Sequence, residues 1–247
     1  MPVNDSSLSE ALATLRAEHL QHDELESSLR RVLEVTCALF GVSGAGLMVV
    51  DDNATLRYVA ATDGRSAALE AAQAETGEGP CVESLLRDEV VHTDDVVHDA
   101  RWPTLSANID GLGVGALLGV PIHVGKTSVG SLNVYTDAGS TWKDEDVEAL
   151  RAFGLVVEEM LAQALTSRHR HVLAEQLDQA LSTRVVIDRA VGVVMADHRT
   201  DPMTAFNILR SQARAQRRKV VEVATEVLDA VQRPESPILE PGPRAMS

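Results

Sequence analysis

Cysteine is almost missing from this chain: Cys37 and Cys81 are its whole supply, too few for a disulfide framework and not spaced as metal ligands. Long apolar runs are missing as well, none approaching the roughly 20 residues that cross a bilayer. The opening MPVNDSSLSE lacks a basic region followed by an apolar one. A cytoplasmic protein with reduced, buried thiols and no membrane partner is therefore expected. No GxSxG, HExxH or phosphate-cradling GxxxxGK(S/T) occurs, and His92, His98 and His123 show no ligand spacing such as HxxxH. An enzyme, a metal and a bound cofactor are accordingly not expected. Positive charge is the last shortage, with 22 Lys+Arg against 37 Asp+Glu and a net charge of -15. Over the whole chain that argues against nucleic acid, because phosphate binding needs local positive potential.

The shortage is uneven. Residues 1–169 hold 11 Lys+Arg against 27 Asp+Glu, a net of -16, whereas residues 170–233 hold 10 against 8, a net of +2. Two parts with different electrostatic roles fit the 247 residues, enough for a core and a second unit. From Leu8 to Phe40 apolar residues recur at three and four positions, predicting two helices or one bent helix. Ala45–Val50 and Leu56–Ala61 read as strands joined by the turn Asp51, Asp52 and Asn53. After a polar stretch, Cys81–Leu86 reads as a helix behind the breaker Gly77-Glu78-Gly79-Pro80, and Val90–His92 as a short strand. Val114–Ile122 and Ser128–Tyr135 form a second hairpin about Val124-Gly125-Lys126, with Val129, Ser131 and Asn133 expected on one face and Leu132 and Val134 on the other.

This order of elements predicts an α+β domain, an antiparallel sheet flanked by helices. Within it GEGPCVESL at 77–85, DARWP at 99–103, and GVPIHVGKTSVGSLNVY at 119–135 followed by WKDEDVEALRAF resemble a GAF domain of the actinobacterial signalling type. The resemblance implies a sensory or dimerising module with a small-molecule pocket, and does not name the ligand. Cys81, Trp102 and Asn133 are the candidate pocket residues. Cys81 sits near a helix start, which can lower a thiol pKa, but Glu78 and Glu83 oppose this and a buried structural thiol is favoured. Asp99, Arg101 and Trp102 read as a loop anchor rather than a catalytic set.

From Asp144 towards His198 a helical pattern runs on, interrupted only by the polar residues Thr166 to His171. Leu173, Leu177, Ala180, Arg184, Ile187, Val191 and Val194 approach the three-and-four spacing of a coiled-coil seam, with Arg184 out of place in it, so a connector that pairs with a second copy is expected. Asp201-Pro202 then opens a helix with an N-cap and a first-turn proline, and a third helix buries Val220, Val223, Ala224, Val227 and Val231. The order Leu177, Ala180, Leu181, Arg184, Ile187, Ala190, Gly192, Met195, Ala205, Leu209, Ala213 and Ala224 resembles the ANTAR domain of bacterial antitermination regulators. That resemblance implies dimers that bind paired hairpins in nascent transcripts and keep a terminator stem from forming.

Arg210, Arg214, Arg217 and Arg218 recur along one stripe of the second helix and Lys219 extends it; Arg is suited to phosphate and to stacking on unpaired bases. With Arg184 these are the six RNA-binding candidates. The chain departs from the family in carrying Val191 where a basic residue is common and Arg217 where Asn is common. Gly192, costly inside a helix by about 1 kcal/mol, is expected to admit a close neighbouring helix. The expected layout is an N-terminal helix at 1–24, a GAF domain at 25–165, a three-helix ANTAR module at 166–232 and a disordered tail with four prolines at 233–247. A signal-regulated antiterminator leads. A dimeric DNA-binding or structural signalling regulator remains open, as does a redox or small-molecule enzyme on the GAF scaffold, which two isolated cysteines disfavour.

Overall fold

In a computed structural model, the described residues are 4–19, 25–50, 56–166 and 171–232, and they fall into two compact units, 1–181 and 182–247. The turn at Asp51 to Asn53 and the proline-rich tail lie outside the described residues, as do the side chains of 171–180, where the first half of the expected seam falls.

The first unit opens with helices α1 (Asp5–His19) and α2 (Leu25–Phe40), followed by the hairpin β1 (Gly44–Val50) and β2 (Leu56–Ala61). Then come α3 (Gly64–Thr76), α4 (Pro80–Arg87), β3 (Val91–Thr93), α5 (Pro103–Asn108), β4 (Leu117–Val124), β5 (Thr127–Tyr135) and α6 (Asp144–Thr166). The strands form one antiparallel sheet in the order β2-β1-β5-β4-β3. The expected α+β architecture is thus present, with the second hairpin turn where the sequence places it, closed by Gly125 at a positive φ of 65°.

One face of the sheet is dry. Leu47, Val120 and Leu132 pack with Leu29 and Leu33 of α2 and with Leu150, Phe153 and Val157 of α6. At one edge of this layer the Phe40 and Phe153 rings meet at 6.1 Å, and Arg16 of α1 reaches Glu159 of α6 at 2.7 Å. The other face is covered by α3, α4 and α5. Leu69, Trp102, Leu105, Leu117 and Tyr135 fill part of it, and buried polar side chains fill the rest.

The polar stretch after the first hairpin is a helix, α3, which apolar periodicity does not reveal. Asp63 caps it by accepting from the Ser66 N–H at 2.7 Å, and Gly77, at φ 72°, ends it. Its buried residues are Ser66, Leu69, Glu70 and Gln73, only one of them apolar.

Across the unit boundary runs α7 (His171–His198), followed by α8 (Pro202–Gln216) and α9 (Val220–Gln232). In the second unit Ile187, Ala190 and Val194 of α7, Ala205, Leu209 and Ala213 of α8, and Val223, Ala224 and Val227 of α9 are buried. Two expectations change. Val231 is 49% exposed, because the third helix turns its last apolar residue away from the core. Gly192 faces solvent, and a side chain built there would meet nothing within 4 Å, so no helix among the described residues uses it for close approach.

Candidate nucleic-acid interface and sensory core

The basic residues of the second unit are held by the two ends of α8. At its start Asp201 accepts from the Met203 and Thr204 N–H groups at 3.0 and 3.3 Å and from the Thr204 hydroxyl at 2.6 Å. The Thr204 hydroxyl bond, backed by those two N–H groups, holds the Asp201 carboxyl below its usual range even against partial burial. At the far end Arg217 turns the chain at φ 54° and ψ 40°. Its N–H donates to the Arg214 carbonyl at 3.1 Å, and the Arg218 N–H donates to the Ala213 carbonyl at 2.9 Å. This is a Schellman closure with arginine in the place glycine usually takes.

That turn divides the expected stripe. Arg214, Arg217 and Lys219 are exposed and Arg210 is half-buried. Arg218 folds back onto α9, bonded to Glu226 at 2.6 Å and close to Glu222 at 3.7 Å; the bond to Glu226 raises its guanidinium pKa further. Arg184 stands apart from all of them, 3% exposed and paired with Asp188 at 2.9 Å. Val191, where the family carries a basic residue, is buried as well. Arg189 on α7 and Arg199, which leaves α7 at φ 52°, are exposed cations outside the stripe pattern. Their signal was the local charge balance, not periodicity.

In the first unit the three candidate pocket residues are buried, and two of them come together. Asn133 of β5 donates from Nδ2 to Glu70 Oε1 at 2.8 Å and accepts from the Ser131 hydroxyl at 2.6 Å. Glu70 Oε2 accepts from Gln73 Nε2 at 3.0 Å, and Gln73 Oε1 accepts from the Cys81 N–H at 2.9 Å. The Cys81 thiol also hydrogen-bonds Glu70. Trp102 is elsewhere, its Nε1 donating to Glu83 at 3.1 Å while the Arg101 guanidinium stacks 4.1 Å over its ring. Arg101 also grips Asp99 at 2.7 Å and the His92 carbonyl at 2.8 Å, as a loop anchor would. Those bonds to Arg101 hold the Asp99 carboxyl at about 2.

Backbone geometry makes room for the Glu70 cluster. Gly46 of β1 and Gly119 of β4 both pair with Asn133 in the sheet. A Cβ at Gly46 would collide with Glu70, and one at Gly119 would come within 2.7 Å of Asn133 Oδ1. Burial pushes the Glu70 carboxyl up to about 7, although Asn133, Cys81 and Gln73 all hydrogen-bond it. Burial and the neighbouring carboxyl raise the Cys81 thiol well above the usual range, so it is an inert thiol.

Two open cavities lie elsewhere. One of about 270 Å³ is lined by residues of α1, α2 and α6, including Leu15, His19 and Met160. Another of about 260 Å³ is lined by Phe40, Thr136, Trp142 and Lys143 among others. Neither is lined by Cys81, Trp102 or Asn133. Among the described residues no group of three or more His, Cys, Asp and Glu could hold a metal ion, and no helix is long and apolar enough to cross a membrane.

The described chain is thus a helix-covered antiparallel sheet with a polar interior, followed by a small helical unit with an excess of positive charge. The chain belongs to the GAF domain family, whose model matches residues 24–161, and carries an ANTAR domain matched at residues 175–228. Among solved structures it is similar to the GAF domain of a phosphoenolpyruvate-protein phosphotransferase from Coxiella burnetii, at 19% identity, 66% of this chain, 97% of that chain and a TM-score of 0.53. The GAF domain of the Acinetobacter phosphoenolpyruvate-protein phosphotransferase is similar at 16% identity, 64% and 95% coverage and a TM-score of 0.51. The reduced form of fRMsr of Staphylococcus aureus is similar at 15% identity, 63% and 95% coverage and a TM-score of 0.50. At these identities the likeness is one of fold. Among curated proteins none matches the chain in sequence.

Proposed function

We propose that the protein is a signal-regulated, RNA-binding regulator of transcription antitermination, acting in the cytoplasm as a homodimer. The GAF domain at 25–165 receives a signal or small molecule, the helical connector passes it on, and the ANTAR module at 166–232 grips hairpins in nascent transcripts. Arg210, Arg214, Arg217 and Lys219 meet the RNA, and Arg184 and Arg218 hold carboxylates of the module's own fold. Cys81, Trp102 and Asn133 belong to the sensory interior and do no bond-breaking chemistry. The observation that carries this reading is the cluster of exposed cations around the end of α8, in an ANTAR-matched unit that is positive within an acidic chain.

The test is filter binding of the full chain to hairpin RNA and to duplex DNA of equal charge, across a salt series. Each phosphate contact to loop RNA contributes about 0.7 to the slope of log affinity against log salt. Replacing Arg214 and Lys219 by Gln is therefore expected to flatten the slope by about 1.4 and weaken binding to all hairpins with helix content unchanged. Unchanged affinity and slope would remove these residues from the interface. Preference for duplex DNA would replace the reading with a DNA-binding regulator.

A further inference from the structure

The Glu70 cluster has a property that neither the RNA reading nor the family assignment requires. Five side chains from three elements close on one another: Glu70 and Gln73 from α3, Cys81 from α4, and Ser131 and Asn133 from β5. All five are buried, Glu70 with 1% of its surface exposed. Each donor in the ring can be assigned from its neighbour. Gln73 Oε1 is occupied by the Cys81 backbone N–H, which has no other role it can play. The Gln73 amide is thereby fixed with its NH₂ towards Glu70. Asn133 is held less firmly, because its carbonyl partner is a hydroxyl, which can accept as readily as it donates, and the second bond from its NH₂, to the Ser131 carbonyl, is long at 3.5 Å.

We propose that Glu70 is a sealed proton-binding site of the sensory domain, and that uptake of the proton reverses the donor–acceptor direction of the ring through rotation of the Asn133 amide. With Glu70 ionised, the arrangement is the one observed: Asn133 Nδ2 donates to Glu70 and Ser131 donates to Asn133 Oδ1. A protonated Glu70 must donate its O–H. The Gln73 amide cannot take it, since turning would strand the Cys81 N–H in a dry interior. A half-turn of the Asn133 amide presents Oδ1 to Glu70 and Nδ2 to Ser131. The Ser131 hydroxyl then points its hydrogen to the Cys81 sulfur, already its hydrogen-bond partner. Every polar group is satisfied in both states, and only a proton is exchanged with solvent.

The surroundings suit such a site. Gly46 of β1 and Gly119 of β4 flank it with no side chain at all, and Ser131, Asn133 and Gln73 are neutral. Among the described residues, the other titratable group acting on Glu70 is Cys81, which burial keeps as the thiol. Among the described residues no cation acts on the carboxyl to hold it ionised, and burial brings its titration to about 7, within the range a cell traverses.

The experiment is NMR of the side-chain amides of the full chain, titrated from two pH units below neutrality to two above. The Asn133 NH₂ signals are expected to shift with a single one-proton midpoint near pH 7, and Glu70→Gln is expected to abolish that shift. Asn133 signals that stay constant while circular dichroism shows the chain folded would overturn the proposal, as would a titration that persists in Glu70→Gln. Should Glu70→Gln not fold, infrared spectra of the unmodified chain labelled at glutamate carboxyls decide the matter. A buried carboxylic-acid band that grows as the pH falls through neutrality supports the site, and its absence overturns it.

Discussion

Arg217 holds a backbone conformation that costs an ordinary side chain about 1 kcal/mol or more relative to glycine. Asparagine, common here in the family, tolerates it. The departure noted in the sequence therefore has a conformational cost as well as a change of charge. Arg217→Gly is expected to raise stability towards urea by about 1 kcal/mol while weakening hairpin RNA binding. A variant that gains stability and loses no affinity would make Arg217 a passive cap. A second residue-scale outcome concerns His123 of β4, whose ring nitrogens lie 2.7 Å from Glu158 of α6 and 2.6 Å from Asp88. Burial alone would lower its pKa, but the two carboxylates outweigh burial and raise it. The bridge thus stabilises the fold fully below the ordinary histidine range and is lost as pH rises through the raised value. Urea midpoints measured across that window are expected to fall with rising pH in the natural chain and to fall less steeply in His123→Gln, where the buried Glu70 still titrates.

At the scale of elements, α3 shows what the sequence could and could not tell. The strands, both hairpins and the three C-terminal helices announce themselves through apolar spacing, because each buries hydrocarbon on one face. On α3 the buried face is Ser66, Glu70 and Gln73 with Leu69, so periodicity of apolar residues has nothing to register. Its capping letters, Asp63 and Gly77, were legible but faint. The same blindness hid Glu70 and Gln73 from the candidate site, although their partners Cys81 and Asn133 stood out. The stripe on α8 was legible as spacing. That one member folds back on α9 and another turns the chain depends on where the helix stops, and periodicity does not fix a helix end. Because α3 lies over β1 with no clearance, Gly46→Ala is expected to cost about 1–3 kcal/mol by overpacking, read as a lower urea midpoint. No loss would mean that Glu70 can move aside.

For the whole molecule, the proposed dimer rests on the near-heptad spacing at the start of α7, Leu173, Leu177 and Ala180, because the later seam positions Ile187, Val191 and Val194 are buried within a single chain. A dimer mass is expected by sedimentation at micromolar concentration, and a monomer mass would remove the paired-hairpin arrangement from the proposal. Charge asymmetry between the parts has a consequence for which RNAs the protein can hold. A basic module tethered to a domain of net -16 works against its own non-specific affinity, since a long single strand that strays within about 8 Å of acidic surface at physiological salt meets repulsion there. On the proposed RNA-binding reading, the acidic domain opposes non-specific capture of nucleic acid by the basic module, and added salt weakens that opposition along with the attraction.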